Sequence, residues 1–284
     1  MGWDLQRALA GKGEVVATDR QELDLSNIDG IRQIVRSLRP NLVINAAAYT
    51  AVDKAESEPD LVMRVNGTAP GVLAEECKRL GALLIHFSTD YVFDGSKRSP
   101  YTEWDQTGPI NVYGTTKLAG EEAVRRSGAR SLILRTAWVY AHRGRNFVLT
   151  MRRLARQKGE LKVVNDQTGA PTWSRSLADL VAKICDKQIG EGAPIYHASC
   201  SGETTWYEFA RAILDDLAMR TPKEPIARLI PISTGEYPTR ARRPMYSVLS
   251  NSRLADDFGL RLPHWRAEFD EFASATAASS AVGS

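Results

Sequence analysis

The sequence predicts an α/β protein: a doubly wound parallel sheet followed by a smaller lobe. Short β-branched or apolar runs alternate with longer helical patterns through the first half of the chain, and that alternation builds strand–helix–strand units. Each run is nearly continuous in apolar character, as expected of strands covered on both faces. After about Asn146 the rhythm loosens into shorter strands and proline-marked loops.

The chain opens on a helix, with Leu5, Ala8 and Leu9 on its apolar side and Gly11 to Gly13 ending it. The first strand-like run is Glu14 to Thr18, the second Leu42 to Ala46, the third Ala82 to Phe87 and the fourth Ser131 to Arg135. Between them, Ser26 is placed to cap a helix carrying Ile31, Ile34, Val35 and Leu38, which Pro40 stops. Thr68 to Leu80 reads as a second helix closed by Gly81, and Tyr113 to Arg126 as a third closed by Gly128. In the later half, Leu161 to Val164 and Pro194 to His197 read as short strands. Thr205 to Leu217 reads as a helix whose Trp206, Phe209, Ala210, Ile213 and Leu214 form a core stripe. These patterns divide the chain into a nucleotide-binding domain at 1–145, a lobe interleaved with it at 146–272, and an Ala/Ser/Gly-rich flexible tail at 273–284. Crossovers in such sheets are right-handed, so ligands bind at the carboxyl ends of the strands.

Composition narrows the function. The net charge of +3 is small for 284 residues and no Lys/Arg block stands out, which disfavours a nucleic-acid partner. No apolar run approaches the length of a membrane span. Cys77, Cys185 and Cys200 are far apart and read as free thiols in a reducing cytosol. His86, His142, His197 and His264 have no ligand spacing, so no protein metal site is expected from them.

A doubly wound nucleotide-binding domain opens with a buried strand and a glycine-rich turn before its first helix. This chain starts on the helix, and Gly2 fits the last glycine of a G-x-x-G-x-x-G turn. One reading is a variant topology that does without that strand. The other is a chain truncated at its start. On the second reading the absent strand is central, two inner edges lose their partner, and the chain as given is expected to be poorly stable or inactive.

Tyr113-Gly114-Thr115-Thr116-Lys117 is a Y-x-x-x-K pair, and among nine tyrosines Tyr113 is the only one with lysine four residues on. The spacing puts both side chains on one helix face. A carbonyl that receives hydride gains negative charge on oxygen, and a phenol beside an ammonium suits the proton it then needs. Asp19, after the first run, suits the adenine ribose hydroxyls of NADH, while Arg20 suits the 2′-phosphate of NADPH. Both cofactors stay open.

The surrounding segments resemble the nucleotide-sugar reductases of the extended short-chain dehydrogenase/reductase family, most closely the rhamnose reductases. The resemblance rests on Asn45 to Glu58 (NAAAYTAVDKAESE), His86 to Gly95 (HFSTDYVFDG), Arg135 to Tyr140, Asn165 to Thr172 (NDQTGAPT), Arg243-Pro244 with Ser247, and Asn251 to Leu254. It implies a Rossmann-like fold and reduction of the C4 ketone of a dTDP-6-deoxyhexulose to dTDP-L-rhamnose, a precursor of cell-surface polysaccharide. Tyr113, Lys117 and Thr89 are the implied catalytic group, with Tyr113 and Lys117 also on the cofactor. Gly2, Asp19, Asp24, Leu25, Ala47, Ala48 and Thr50 are the remaining implied cofactor contacts, and Val52, Asp90, Trp138 and Arg243 the implied substrate contacts. Relatives often have valine just before this last glycine, and on the truncation reading a GTG codon at that place is taken as a start and written as Met1. Sugar dehydratases of the wider family carry an Asp-Glu pair where this chain has Asp90-Tyr91, so elimination is disfavoured. Some relatives dimerise through magnesium, which makes a homodimer with Mg2+ at its interface an implied feature that the acidic residues do not themselves establish. An epimerase, or a non-catalytic subunit such as the one that serves methionine adenosyltransferase, shares the fold.

Overall fold

The computed structural model describes residues 1–187 and 189–281. Four parallel strands form the central sheet: β1 (Leu42–Asn45), β2 (Leu83–Thr89), β3 (Ser131–Thr136) and a later strand, Ile195–His197, paired in that order. Two helices, α1 (Gly2–Ala8) and α2 (Ile28–Leu38), precede β1, and α3 (Ala69–Leu80) and α4 (Val112–Ser127) connect β1 to β2 and β2 to β3. Gly81 and Gly128 end α3 and α4 in the left-handed conformation, as the sequence predicts. The register sets Asn45 opposite His86 and Thr89 opposite Thr136, so the carboxyl ends of β1, β2 and β3 share one rim.

Both faces of the sheet are covered, which is why its strands are apolar throughout. Ile85, Phe87, Leu132 and Leu134 face one core, packed with Leu5, Leu9 and the later helices. Leu84 and Ile133 face the other, packed with Ile31 and Val35 of α2 and Val72 and Leu73 of α3. This alternation is the two-residue period of a strand read on two buried sides.

Beyond β3 come α5 (Phe147–Gln157), β4 (Glu160–Val164), α6 (Ser174–Ile184), the sheet strand β5 (Ile195–His197), α7 (Trp206–Arg220), β6 (Arg228–Ile232), α8 (Ser252–Phe258) and α9 (Trp265–Ala281). β4 and β6 pair in parallel as a separate two-stranded sheet. The stripe on α7 is core: Phe209, Ala210, Ile213 and Leu214 are buried. The segment expected as a tail from Ala273 is helical to Ala281, in keeping with alanine's helix propensity, and 282–284 lie outside the described residues.

Two sequence expectations are corrected. Glu14 to Thr18 is not a strand: the sheet begins at β1, which pairs with β2 on one side. A strand needs a neighbour for its backbone groups; none lies beside this segment among the described residues, and Val15 and Val16 remain 42% and 55% exposed. Ser26 does not cap α2. Asn27 does, accepting from the Gly30 amide at 3.0 Å, while the Ser26 hydroxyl donates to Asp24 at 2.8 Å.

Candidate active site

The site is built where β2 and β3 end and α4 begins. Asn111 caps α4, its Oδ1 accepting from the Gly114 amide at 2.7 Å, while its Nδ2 donates to the Arg242 carbonyl at 2.8 Å. One asparagine therefore starts the helix bearing Tyr113 and anchors the late loop bearing Arg243. Gly114 lets that first turn approach the end of β2: a Cβ there would lie 2.2 Å from the Tyr91 carbonyl oxygen. Because the obstacle is backbone, Gly114→Ala is expected to cost about 1–3 kcal/mol of stability and to displace Tyr113. Gly159→Ala, with open space around it, is the neutral control. Paired thermal unfolding and turnover measurements check this; equal melting temperatures for the two variants would remove the argument.

Tyr113 is half-buried, and burial pushes its phenol up to about 12, opposed by its hydrogen-bonding neighbour Thr89 and reinforced by the Asp90 carboxylate. The expected lowering by Lys117 is not among these influences, since the Lys117 ammonium is directed at the Phe87 carbonyl, 2.6 Å away. A phenol that keeps its proton at neutral pH is suited to donate it. Lys117 is only 2% exposed, and burial lowers it to about 8 against the opposing charge of Glu121.

Thr89 ends β2, and its hydroxyl donates to Asp90 Oδ1 at 3.0 Å. Asp90 is buried; desolvation raises its carboxyl to about 6 despite hydrogen bonds from Ser247 and Thr89, and its Oδ2 has no hydrogen-bond partner among the described residues. Tyr91 packs edge-on against Tyr113, with ring centroids 5.6 Å apart. The structure thus brings Thr89, Asp90, Tyr91, Tyr113 and Lys117 together.

Arg243 closes one side. Its guanidinium forks onto Asp53 at 2.8 and 3.2 Å, tying the late loop to the short helix Val52–Ala55 that carries Val52. Asp53 was not a sequence candidate; it lies 190 positions from Arg243 and had no local signal. Trp138 adopts a left-handed backbone with φ 46°, and its indole stacks on Trp206 at 3.5 Å between centroids. Gly169 lies against the same indole, so Trp138 is clamped as well as displayed.

A nicotinamide cofactor fits part of this arrangement. The Lys117 ammonium has one acceptor, leaving two N–H donors for ribose hydroxyls. Ala47, Ala48 and Thr50 follow β1 as small side chains open to solvent or half-buried, on a loop held by the Asn66 amide, which exchanges hydrogen bonds of 2.9 and 3.0 Å with the Tyr49 backbone. Asp19 is exposed, and its Oδ1 accepts from the Gln21 and Glu22 amides. Asp24 is held ionised by the Ser26 amide and hydroxyl and pairs with Arg20 at 3.5 Å. The Leu25 side chain belongs to the core beneath α2 and α3, so only its backbone is available to a ligand. Gly2 begins α1 with nothing near its Cβ position. No hydrogen bond joins Gly2, Asp19, Asp24 or Leu25 to the Tyr113 group. Among the described residues no group of three or more His, Cys, Asp or Glu side chains is placed to hold a metal ion, and no helix is long and apolar enough to cross a membrane.

Comparison with known proteins places this geometry. The chain is 48% identical over 274 residues to a dTDP-4-dehydrorhamnose reductase of Burkholderia thailandensis, covering 94% of this chain and 92% of that one. It is 44% identical to the dTDP-4-dehydrorhamnose reductase of Escherichia coli K12, over 94% of this chain and 91% of that protein. The fold superimposes on a dTDP-4-dehydrorhamnose reductase from Clostridium acetobutylicum with a TM-score of 0.90 and 39% identity, covering 97% and 95% of the two chains. The Bacillus anthracis dTDP-4-dehydrorhamnose reductase, solved in complex with NADP, gives a TM-score of 0.88 at 35% identity over 95% and 94%. Residues 1–277 match the RmlD substrate binding domain model, and the chain belongs to that family.

Proposed function

We propose that this protein reduces the C4 ketone of dTDP-4-dehydro-L-rhamnose to dTDP-L-rhamnose, with NADPH or NADH as the hydride donor. The observation that carries the reading is a half-buried phenol, Tyr113, that keeps its proton beside the Thr89 hydroxyl and one helical turn before the buried Lys117. The names of the similar reductases, and the NADP bound by one of them, support the choice of substrate and cofactor class.

The dihydronicotinamide supplies the hydride when bound. Thr89 turns its single hydroxyl proton from Asp90 to the ketone oxygen and holds that oxygen near Tyr113. Tyr113 then gives its proton to the oxygen that has become an alkoxide. Lys117 stays charged at the working pH, and its two free N–H donors hold ribose hydroxyls. Ala47, Ala48 and Thr50 provide a low wall for the flat ring. Tyr91, standing where a dehydratase needs a second acid, leaves no partner for elimination. Val52, Asp90, Trp138 and Arg243 line the substrate side, with Arg243 suited to diphosphate oxygens once it shares or leaves Asp53. The unpaired cysteines Cys77, Cys185 and Cys200 fit a reducing cytosol.

The test is direct. The purified chain, given dTDP-4-dehydro-L-rhamnose and NADPH or NADH, is expected to consume the dihydronicotinamide and release dTDP-L-rhamnose in equal amounts. Cofactor that stays reduced in the presence of a folded protein and fresh substrate overturns the proposal.

A further inference from the structure

Beneath Lys117 lies a second, fully buried charged layer that the proposed reaction does not use directly. Glu121 follows Lys117 by four residues on α4, hence on the same face one turn on. It is 1% exposed and completely satisfied: Oε1 accepts from the Ser88 hydroxyl at 2.5 Å and from Arg135 Nε at 2.8 Å, and Oε2 accepts from Arg135 Nη2 at 2.7 Å. Adjacent residues of β2 thus serve adjacent turns of α4: the Phe87 carbonyl takes the Lys117 ammonium and the Ser88 hydroxyl takes the Glu121 carboxylate. Arg135 rises from β3 to close the corner, with Nη1 lacking a hydrogen-bond partner among the described residues.

Two buried cations, Lys117 and Arg135, therefore share one buried anion, and a buried ammonium without a counter-charge is costly. The other ionisable groups around it are His86 from β2, which faces Lys117, His197 from β5, which burial and Arg135 keep neutral, and Glu103, Asp105, Glu122 and Arg125, which line the cavity beside Glu121 and Arg135. His86 adds no third cation: burial, and then Lys117, hold it neutral, and its Nδ1 meets the Asn45 amide at 3.1 Å. Asp90 acts on Tyr113. Of the Glu121–Arg135 pair, Glu121 is the member whose charge acts on Lys117, favouring its protonated form.

We propose that Glu121, fixed by Arg135 and Ser88, is a positioning residue that keeps Lys117 charged and seated against β2 for the reduction. The inference rests on the Tyr113–Lys117 reading given above. Without Glu121, the Arg135 guanidinium would be an unbalanced cation in the same corner, and Lys117 would lose its proton at lower pH.

The experiment is the pH dependence of kcat/KM for the sugar nucleotide. In the unaltered protein the alkaline limb, where Lys117 loses its proton, is expected near about 8. Glu121→Gln keeps the shape and removes the charge; its limb is expected to move down by about one unit, a tenfold loss on the alkaline side with little change near pH 6. Glu121→Asp keeps the charge and loses part of the fork; its limb stays in place even if its melting temperature falls. A Glu121→Gln protein that loses the same factor at every pH overturns the inference, as does a Glu121→Asp limb that moves equally far. Should Glu121→Gln fail to fold, Glu121→Asp decides: a limb that stays in place supports the inference, and one that moves down by about one unit overturns it. Lys117→Met separates the two levels. Turnover retained in Lys117→Met overturns the reading of the pair and this inference with it; turnover lost there, beside an unmoved limb in Glu121→Gln, overturns the inference alone.

Discussion

Tyr113→Phe is expected to lose between a hundredfold and ten-thousandfold in kcat while its affinity for the cofactor holds. That range is the usual worth of a positioned general acid, about 3–5 kcal/mol of transition-state stabilisation. The prediction follows from three observations made above: the phenol keeps its proton, Thr89 stands beside it, and Lys117 is directed at the Phe87 carbonyl and not at the Tyr113 oxygen. Phenylalanine removes the proton and the hydrogen bond with Thr89 but keeps the ring's edge contact with Tyr91. Steady-state kinetics alongside a cofactor titration separates the cases. Turnover within threefold of the parent protein would move the proton source elsewhere.

The second large effect is on stability, at Asp90. Burial raises this carboxyl from its ordinary 3.8 to about 6. The folded protein therefore holds a proton that the unfolded chain releases, and stability falls as pH rises from about 4 through about 6. By neutral pH the shift amounts to about 3 kcal/mol. Asp90→Asn has nearly the same shape and never ionises, so it escapes that loss. It is expected to be about 2–3 kcal/mol more stable than the parent near pH 7.5 and nearly equal to it near pH 4.5, while turning over more slowly because the substrate loses a carboxylate partner. Urea unfolding at the two pH values reads the difference directly, and a gap of the same size at both would show that Asp90 is ionised throughout.

The parts of this molecule that were legible in the sequence are those whose physics is local. The runs Leu42 to Ala46, Ala82 to Phe87 and Ser131 to Arg135 declare themselves as strands because each must be apolar on two faces, whereas the polar end of the second, Ser88-Thr89, carries no such mark. The helix bearing Tyr113 and Lys117 is marked by their spacing and by Gly128, while its cap, Asn111, comes from the structure. Glu14 to Thr18 looked equally strand-like and is not one, because pairing depends on a neighbour that side-chain composition does not reveal. The contacts that finish the site are long-range: Asp53 to Arg243, Glu121 to Arg135, and Asn111 to the Arg242 carbonyl. None leaves a periodic trace. Leu25 shows the opposite limit, a residue carried over by resemblance whose side chain is spent on the core.

The parallel indoles of Trp138 and Trp206 give the protein an optical reporter of its own. Two such chromophores in face contact, 3.5 Å apart and inclined by 5°, couple their excitations in a way that a lone tryptophan cannot. Any event that turns Trp138 out of its left-handed seat breaks the coupling. A rearrangement of Trp138 can therefore be followed without a label, a coenzyme or a chemical step.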